Sequence, residues 1–129
     1  MPTNEECRYQ KSHEWSYLDG TEAAVGISDH AQKEITDIVF VEMPKVGKQV
    51  SAGQAVATVE SVKAAFDIYS PLSGEICAVN PEVSKDPSIV NKEPLDRGWL
   101  FRLKSARKEE FSSLMDWQQY QEFIKTQKH

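Results

Sequence analysis

Few residues in this chain have types and spacings that could carry chemistry. The two cysteines, Cys7 and Cys77, lie seventy positions apart and lack the close spacing of a zinc site or a redox pair. Cys77 stands in an apolar stretch, which predicts a buried structural thiol, whereas Cys7 stands in a polar stretch and is predicted to be exposed. The three histidines, His13, His30 and His129, are scattered, so the sequence predicts no metal site.

The segment from Gly53 to Pro71 is the most informative part of the sequence and contains Lys63. Its valines and aromatic residues recur every three or four positions, which favours a helix. Its β-branched content and its flanking Gly and Pro favour strands. A single strand of that length would be unusually long, so a β structure would need a hairpin turn near the middle. Because residues 61–64 contain no Gly, Asn or Asp, that turn would have to be of type I. The local pattern leaves both readings open.

The elements around this segment follow from turn residues and periodicity. Short stretches rich in β-branched and aromatic residues lie between closely spaced Gly and Pro, which predicts a compact β sandwich or barrel. They are residues 23–28, 37–42, 55–59, 75–79 and 99–104. A short helix is predicted after Ser28 or Asp29, either of which can cap it. Residues 108–116 and 117–125 have apolar residues at helical spacing and predict two helices that pack on the β body.

Length, composition and charge exclude several classes of function. The chain has 129 residues, of which 40% are hydrophobic and 27% charged, which predicts one globular domain with a β body over about 8–104 and a helical segment over about 107–125. A net charge of −5 argues against nucleic acid or an anionic membrane as partner. The sequence has no nucleophile–base pair or phosphate loop, so an enzyme is not predicted. The start of the chain lacks the features of a signal or transit peptide, so a cytoplasmic location in a bacterium is predicted, with the mitochondrial matrix as the alternative for a mature form.

Six blocks of the sequence, taken in order, carry a resemblance to a known family. They are residues 12–15 (SHEW), 26–32 (GISDHAQ), 37–44 (DIVFVEMP), 60–64 with 67–75 (ESVKA and DIYSPLSGE), 87–91 (PSIVN) and 98–100 (GWL). Together they make residues 9–125 resemble the H-protein family of the glycine cleavage system. The ESVKA block is similar to the family's lipoyl-attachment motif.

The resemblance implies a fold and a covalent cofactor. The fold is a mainly β, flattened barrel-sandwich hybrid of the lipoyl and biotinyl type, with C-terminal helices, and it places Lys63 at the exposed tip of a hairpin. The implied cofactor is lipoate on the Lys63 amine, with Glu60 recognised by the lipoylating enzyme, a lipoyl or octanoyl transferase or a lipoate ligase. Biotinyl domains place Met beside the acceptor lysine, whereas Val62 and Ala64 flank it here.

The resemblance also implies a non-catalytic carrier of the aminomethyl group of glycine. Its partners would be the pyridoxal-phosphate glycine decarboxylase, the folate-dependent aminomethyltransferase and dihydrolipoyl dehydrogenase. A cationic cargo needs anionic or hydroxyl acceptors, and in the family these fall at positions that match Ser12, Glu14 and Asp67. The alternative is a carrier of the same type that acts mainly in lipoate relay or in another lipoyl-dependent process.

The chain departs from the family pattern at several positions near the implied cleft. Thr36 stands where the family commonly has Gly after its short helix, and Phe66 replaces a small or polar residue. Glu34 stands where some members have a histidine that faces the cleft, and residues 95–97 replace a Tyr-Gly-acidic run. These departures concern the cleft and the choice of partner, and they leave the lysine motif intact.

Overall fold

The computed structural model describes residues 2–126, which form two β-sheets and several short helices. The strands are β1 (Arg8–Tyr9), β2 (Glu14–Asp19), β3 (Glu22–Ile27), β4 (Ile38–Glu42), β5 (Gln49–Val50), β6 (Ala55–Ser61), β7 (Ala65–Tyr69), β8 (Gly74–Val79) and β9 (Phe101–Lys104). The α-helices are α1 (Asp29–Ile35), α2 (Pro81–Lys85), α3 (Ser88–Lys92), α4 (Lys108–Ser112) and α5 (Trp117–Thr126), and a 3-10 turn covers Asn4–Glu6. The mainly β fold that the sequence predicts is confirmed.

All strand pairs in the two sheets are antiparallel. The six-stranded sheet has the order β1-β2-β3-β9-β8-β5, and the three-stranded sheet has the order β4-β6-β7. The main hydrophobic core contains apolar side chains of both sheets, and its fully buried members include Val59 of β6 and Leu103 of β9. The small sheet therefore packs on the large one, and the turn between β6 and β7 lies outside this core.

Strand β3 separates two hydrophobic clusters because successive side chains of a strand point to opposite faces. Val25 and Ile27 lie in the main core, whereas Ala24 lies in a second cluster with Trp15 and Tyr120 of α5. Gly26 faces the second cluster, where an added Cβ would lie 2.7 Å from the Trp15 indole. The second cluster attaches the C-terminal helix to the β body.

Helices α1, α4 and α5 agree with the sequence prediction, whereas α2 and α3 do not. Helix α1 begins after Ser28, whose hydroxyl accepts from the Ala31 amide at 3.1 Å, and α4 and α5 fall in the two segments predicted as helices. Helices α2 and α3 were not predicted. The signal for α2 was present, because Asn80 caps the Glu82 amide at 3.0 Å and Pro81 follows at the first helical position. No helix among residues 2–126 combines the length and apolar character needed to cross a membrane.

The burial of the cysteines reverses the prediction. Cys7 is 1% exposed in the second cluster, and Cys77 is only half-buried on β8. Cys7 is covered because the polar N-terminal segment packs against α5, a long-range contact that local composition does not reveal. Burial raises the pKa of the Cys7 thiol to about 12, so this cysteine is a structural apolar group rather than a reactive one.

Candidate functional site

A hairpin turn between β6 and β7 carries Lys63. The strands pair antiparallel, with Glu60 opposite Ala65, so residues 61–64 form the turn. The Ser61 amide donates to the Ala64 carbonyl at 2.8 Å, and the Ser61 hydroxyl oxygen accepts from the amides of Lys63 and Ala64 at 3.2 Å each. A serine side chain thus satisfies the turn amides, which explains why this hairpin needs no Gly, Asn or Asp.

Lys63 itself is exposed at the apex of this turn. Its backbone amide is held by Ser61, and within residues 2–126 no carboxylate lies within 4.0 Å of its ammonium group. The neighbouring Val62 is 72% exposed, and its amide donates to the Asp37 carbonyl at 3.2 Å. The turn backbone is therefore fixed by hydrogen bonds, and the lysine side chain extends into solvent from a defined position.

Apolar and acidic side chains lie next to the turn. Val39 and Phe40 of the adjacent strand β4 are 54% and 50% exposed, and Phe40 lies opposite Glu60 in the sheet register. Glu60 is exposed and lies one residue before the turn that carries Lys63.

A small cavity of about 130 Å³ lies beside β7 and brings together two of the three predicted cleft residues. Ser12 and Asp67 line it, together with Phe66 and Glu34, two of the positions at which the chain departs from the family pattern. The remaining lining residues are His13, Ile27, Ala31, Ile35 and Ile68. Asp67 also lines a more open groove of about 480 Å³ with Glu42, Lys45 and Lys48, so this residue borders both depressions.

Glu14, the third predicted cleft residue, is buried and does not line the cavity. It is 1% exposed. One carboxylate oxygen accepts from the Ser12 hydroxyl and from the Gln10 side-chain amide, the latter at 2.8 Å, and the other accepts from the Tyr69 amide at 2.9 Å. Burial raises the pKa of Glu14, although these hydrogen bonds oppose the shift. The carboxylate therefore reaches the cavity only through Ser12, and its direct contacts attach the loop before β2 to the end of β7.

Two histidines that are scattered in the sequence meet beside the same cavity. The rings of His13 and His30 have centroids 4.9 Å apart, and His30 lies 3.3 Å from Glu34 through its Nε2 atom. His129 lies outside the described residues. The separation of residues 13 and 30 along the chain concealed this cluster, although the i, i+4 spacing of His30 and Glu34 on one helix was a readable signal.

Comparisons with known proteins agree with this geometry. The family model described as "Glycine cleavage H-protein" matches residues 7–127. The glycine cleavage system H protein of Deinococcus deserti is 53% identical over 116 residues, which is 90% of this chain and 92% of that protein, and that of Aeromonas hydrophila is 51% identical over 120 residues, 92% and 93% of the two chains. Among solved structures, a glycine cleavage system H protein from Mycobacterium marinum matches with a TM-score of 0.80 at 30% identity and 97% coverage of both chains.

The fold identifies the class of protein to which this chain belongs. Two β-sheets that do not close into a barrel, with added helices and a structural match of this quality, define a lipoyl-domain barrel-sandwich protein. The chain belongs to the glycine cleavage H-protein family.

Proposed function

We propose that this chain is the lipoyl carrier of a glycine cleavage system, with the lipoyl group on the Lys63 amine. The observation that carries the proposal is the exposed Lys63 at a hairpin apex whose backbone is held by Ser61. An amine must be accessible and lose its proton to attack an activated acyl group, and an apex lets a transferring enzyme surround it. Glu60 and Val62 supply an acidic and an apolar contact beside the amine.

The residues around Lys63 fit a long covalent arm. The turn backbone is fixed while the Lys63 side chain has no carboxylate of residues 2–126 within 4.0 Å, so acylation would break no ion pair. When bound, the lipoyl group would supply a dithiolane that accepts the aminomethyl group of glycine together with two electrons. The protein's part is to hold the base of the arm and to receive its end.

Asp67 and Ser12 are proposed to receive the cationic cargo in the 130 Å³ cavity. A carboxylate and a hydroxyl are suitable acceptors for an ammonium group. Glu14 holds Ser12 and the end of β7 in place, because its buried carboxylate accepts from the Ser12 hydroxyl and from the Tyr69 amide. Phe66, on the wall of the same cavity, would exclude water from the bound group.

The chain itself supplies no reaction step in this proposal. Glycine decarboxylase would load the arm, the folate-dependent aminomethyltransferase would unload it, and dihydrolipoyl dehydrogenase would reoxidise it. The lipoylating enzyme is the fourth partner. The net charge of −5 favours docking to basic surfaces on these enzymes, since complementary charge accelerates association.

The experiment is intact-mass measurement of the chain after incubation with a lipoylating enzyme and lipoate. The wild-type chain should gain one lipoyl group, and Lys63→Arg, which keeps the charge but lacks a usable nucleophile, should gain none. Lys48→Arg is the matched control, because Lys48 is also exposed but lies away from the turn. Lipoate retained by Lys63→Arg, or lost in Lys48→Arg, would overturn the assignment. Unfolding in urea should show that Lys63→Arg folds like the wild type, because exposed substitutions change stability by about 0.5 kcal/mol at most.

A further inference from the structure

His13, His30 and Glu34 form a cluster of potential metal ligands, which we call the His–His–Glu cluster. One nitrogen of each histidine and one carboxylate oxygen of Glu34 all lie within 4.8 Å of one another. The His30 Nε2 atom and the nearer Glu34 oxygen are 3.3 Å apart. Two imidazoles and one carboxylate are a donor set that suits zinc and neighbouring divalent metals.

The local backbone brings the three side chains close together. His30 and Glu34 are four residues apart on α1 and therefore lie on the same helix face. His13 has a φ of +78°, a conformation that is uncommon for residues other than glycine and that requires support from the surroundings. That support is present, because the His13 amide donates to the Gln10 carbonyl and the His13 carbonyl accepts from the Ser28 amide, both at 2.9 Å.

A second layer of hydrogen bonds fixes the His13 ring. Its Nδ1 atom lies 2.7 Å from the Tyr120 hydroxyl, which in turn lies 2.6 Å from the Ser28 hydroxyl. These contacts fix the orientation of the His13 ring. Histidines that bind metals usually have their other ring nitrogen held in this way, which fixes the tautomer and the ring orientation.

We propose that the His–His–Glu cluster binds one divalent metal ion of the zinc type. Ligands of a tetrahedral zinc lie about 3.3 Å apart, so the His30–Glu34 pair already has the required separation. All three ligand atoms lie within 4.8 Å of one another, so small rotations of the side chains, of which Glu34 is exposed, bring them to the required separation. His13 and Glu34 both line the cavity that contains Ser12 and Asp67, so the remaining coordination position opens into that cavity.

Metal binding can be tested without lipoyl attachment, because none of the three ligands is Lys63 or a turn residue. The test therefore uses the full-length chain without lipoate, to which Zn²⁺ is added in a calorimeter and Co²⁺ in a visible spectrometer. The wild type should bind one ion per chain. Coordination by nitrogen and oxygen should give visible Co²⁺ bands without the charge-transfer band of a thiolate, which separates this site from Cys77.

Two ligand variants and two controls locate the metal. Glu34→Gln keeps the shape of an exposed side chain, and His13→Asn keeps a residue that tolerates a positive φ. Each should raise the dissociation constant about a hundredfold or more, since changes in outer-shell partners alone cost about 10- to 100-fold. Asp29→Asn removes a charge from the same helix, at a carboxylate that contacts Gln32 and Lys33, and should retain wild-type affinity. His129→Ala, which removes the third imidazole of the chain, should retain it as well.

Four results would overturn the proposal. They are a wild-type chain without saturable binding, equal affinity of Glu34→Gln and the wild type, a thiolate charge-transfer band with Co²⁺, and loss of binding in His129→Ala but not in His13→Asn. Circular dichroism of each variant shows whether it is folded, so that weak binding by an unfolded chain is not counted as loss of a ligand.

Discussion

The two ends of strand β7 differ in how they are held. At its start, the turn with Lys63 is exposed and is fixed by the Ser61 side chain and by backbone bonds. At its end, the Tyr69 amide donates to Glu14, a carboxylate that is 1% exposed and accepts three hydrogen bonds. One strand thus links an accessible lysine to a buried polar network.

The difference shows that the accessibility of Lys63 depends on the turn before β7, whereas the position of the strand depends on its last residues. The proposed acceptor, Lys63, must be reached by other enzymes, so its surroundings can contribute little burial. The far end must hold Ser12 and β7 in register beside the cavity, which requires a buried group with satisfied partners. We therefore expect substitutions at the turn to change modification and substitutions at Glu14 to change stability.

The largest effect on stability is expected for Glu14→Ala. Removal of the carboxylate leaves the Tyr69 amide, the Ser12 hydroxyl and the Gln10 amide without this acceptor, and a buried unsatisfied donor costs about 1–3 kcal/mol. The free energy of unfolding, measured in urea, should fall by about that amount. Asp67→Asn is the matched control, because it removes an exposed carboxylate from the same strand and should change stability by about 0.5 kcal/mol at most. Equal losses in both variants would remove the distinction between the two ends.

A smaller change in the free energy of unfolding is expected when the pH is varied, because burial raises the pKa of Glu14 above its ordinary value of 4.5. Between the ordinary and the raised value, the folded chain holds the proton and the unfolded chain releases it, so a rise in pH through this interval lowers the free energy of unfolding. Glu14→Gln cannot titrate. The stability of the wild type minus that of Glu14→Gln should therefore decrease as the pH rises from 4.5 toward neutrality. A difference that is constant or increases would show that the pKa of this carboxyl is not raised.

The strand end and the turn also differ in how far the sequence predicts them. The periodicity of residues 53–71 left helix and hairpin open, because the turn uses Ser61 instead of the Gly, Asn or Asp that normally mark one. The resemblance in residues 60–64 places the lysine at a turn, and the structure has it there. The burial of Glu14 was not predicted, since it depends on Tyr69, fifty-five positions away.

Other differences have the same origin in long-range packing. The exposure of Cys7 was predicted from polar neighbours, but α5 covers it. His13 and His30 meet because the antiparallel pairing of β2 with β3 places the start of β2 beside the start of α1. Helix α2 was missed although its Asn-Pro start was readable. Local capping signals could therefore have been used more fully, while burial and side-chain clusters required the fold.

Thr36 is a residue at which a substitution is expected to raise the free energy of unfolding. It ends helix α1 with φ 69° and ψ −153°, a region that is almost restricted to glycine and costs other residues about 1–3 kcal/mol. Asn91 donates to its carbonyl at 2.9 Å, and the next residue, Asp37, accepts from the Val62 amide at 3.2 Å. The strained residue thus precedes the contact that supports the lysine turn.

The smallest expected change in stability is a gain in Thr36→Gly of about 1 kcal/mol. Relief of the backbone strain exceeds the additional freedom that glycine gives to the unfolded chain, which costs about 0.5–1 kcal/mol. Urea unfolding measures the gain, and Thr36→Ala is the control, because it removes the hydroxyl that donates to the Ile35 carbonyl but keeps the Cβ atom. Thr36→Ala should therefore show no gain. If Thr36→Gly is less stable than the wild type, the hydroxyl contact of Thr36 contributes more to stability than the backbone strain costs. In that case threonine would help to hold Asp37 in the position from which it supports the turn.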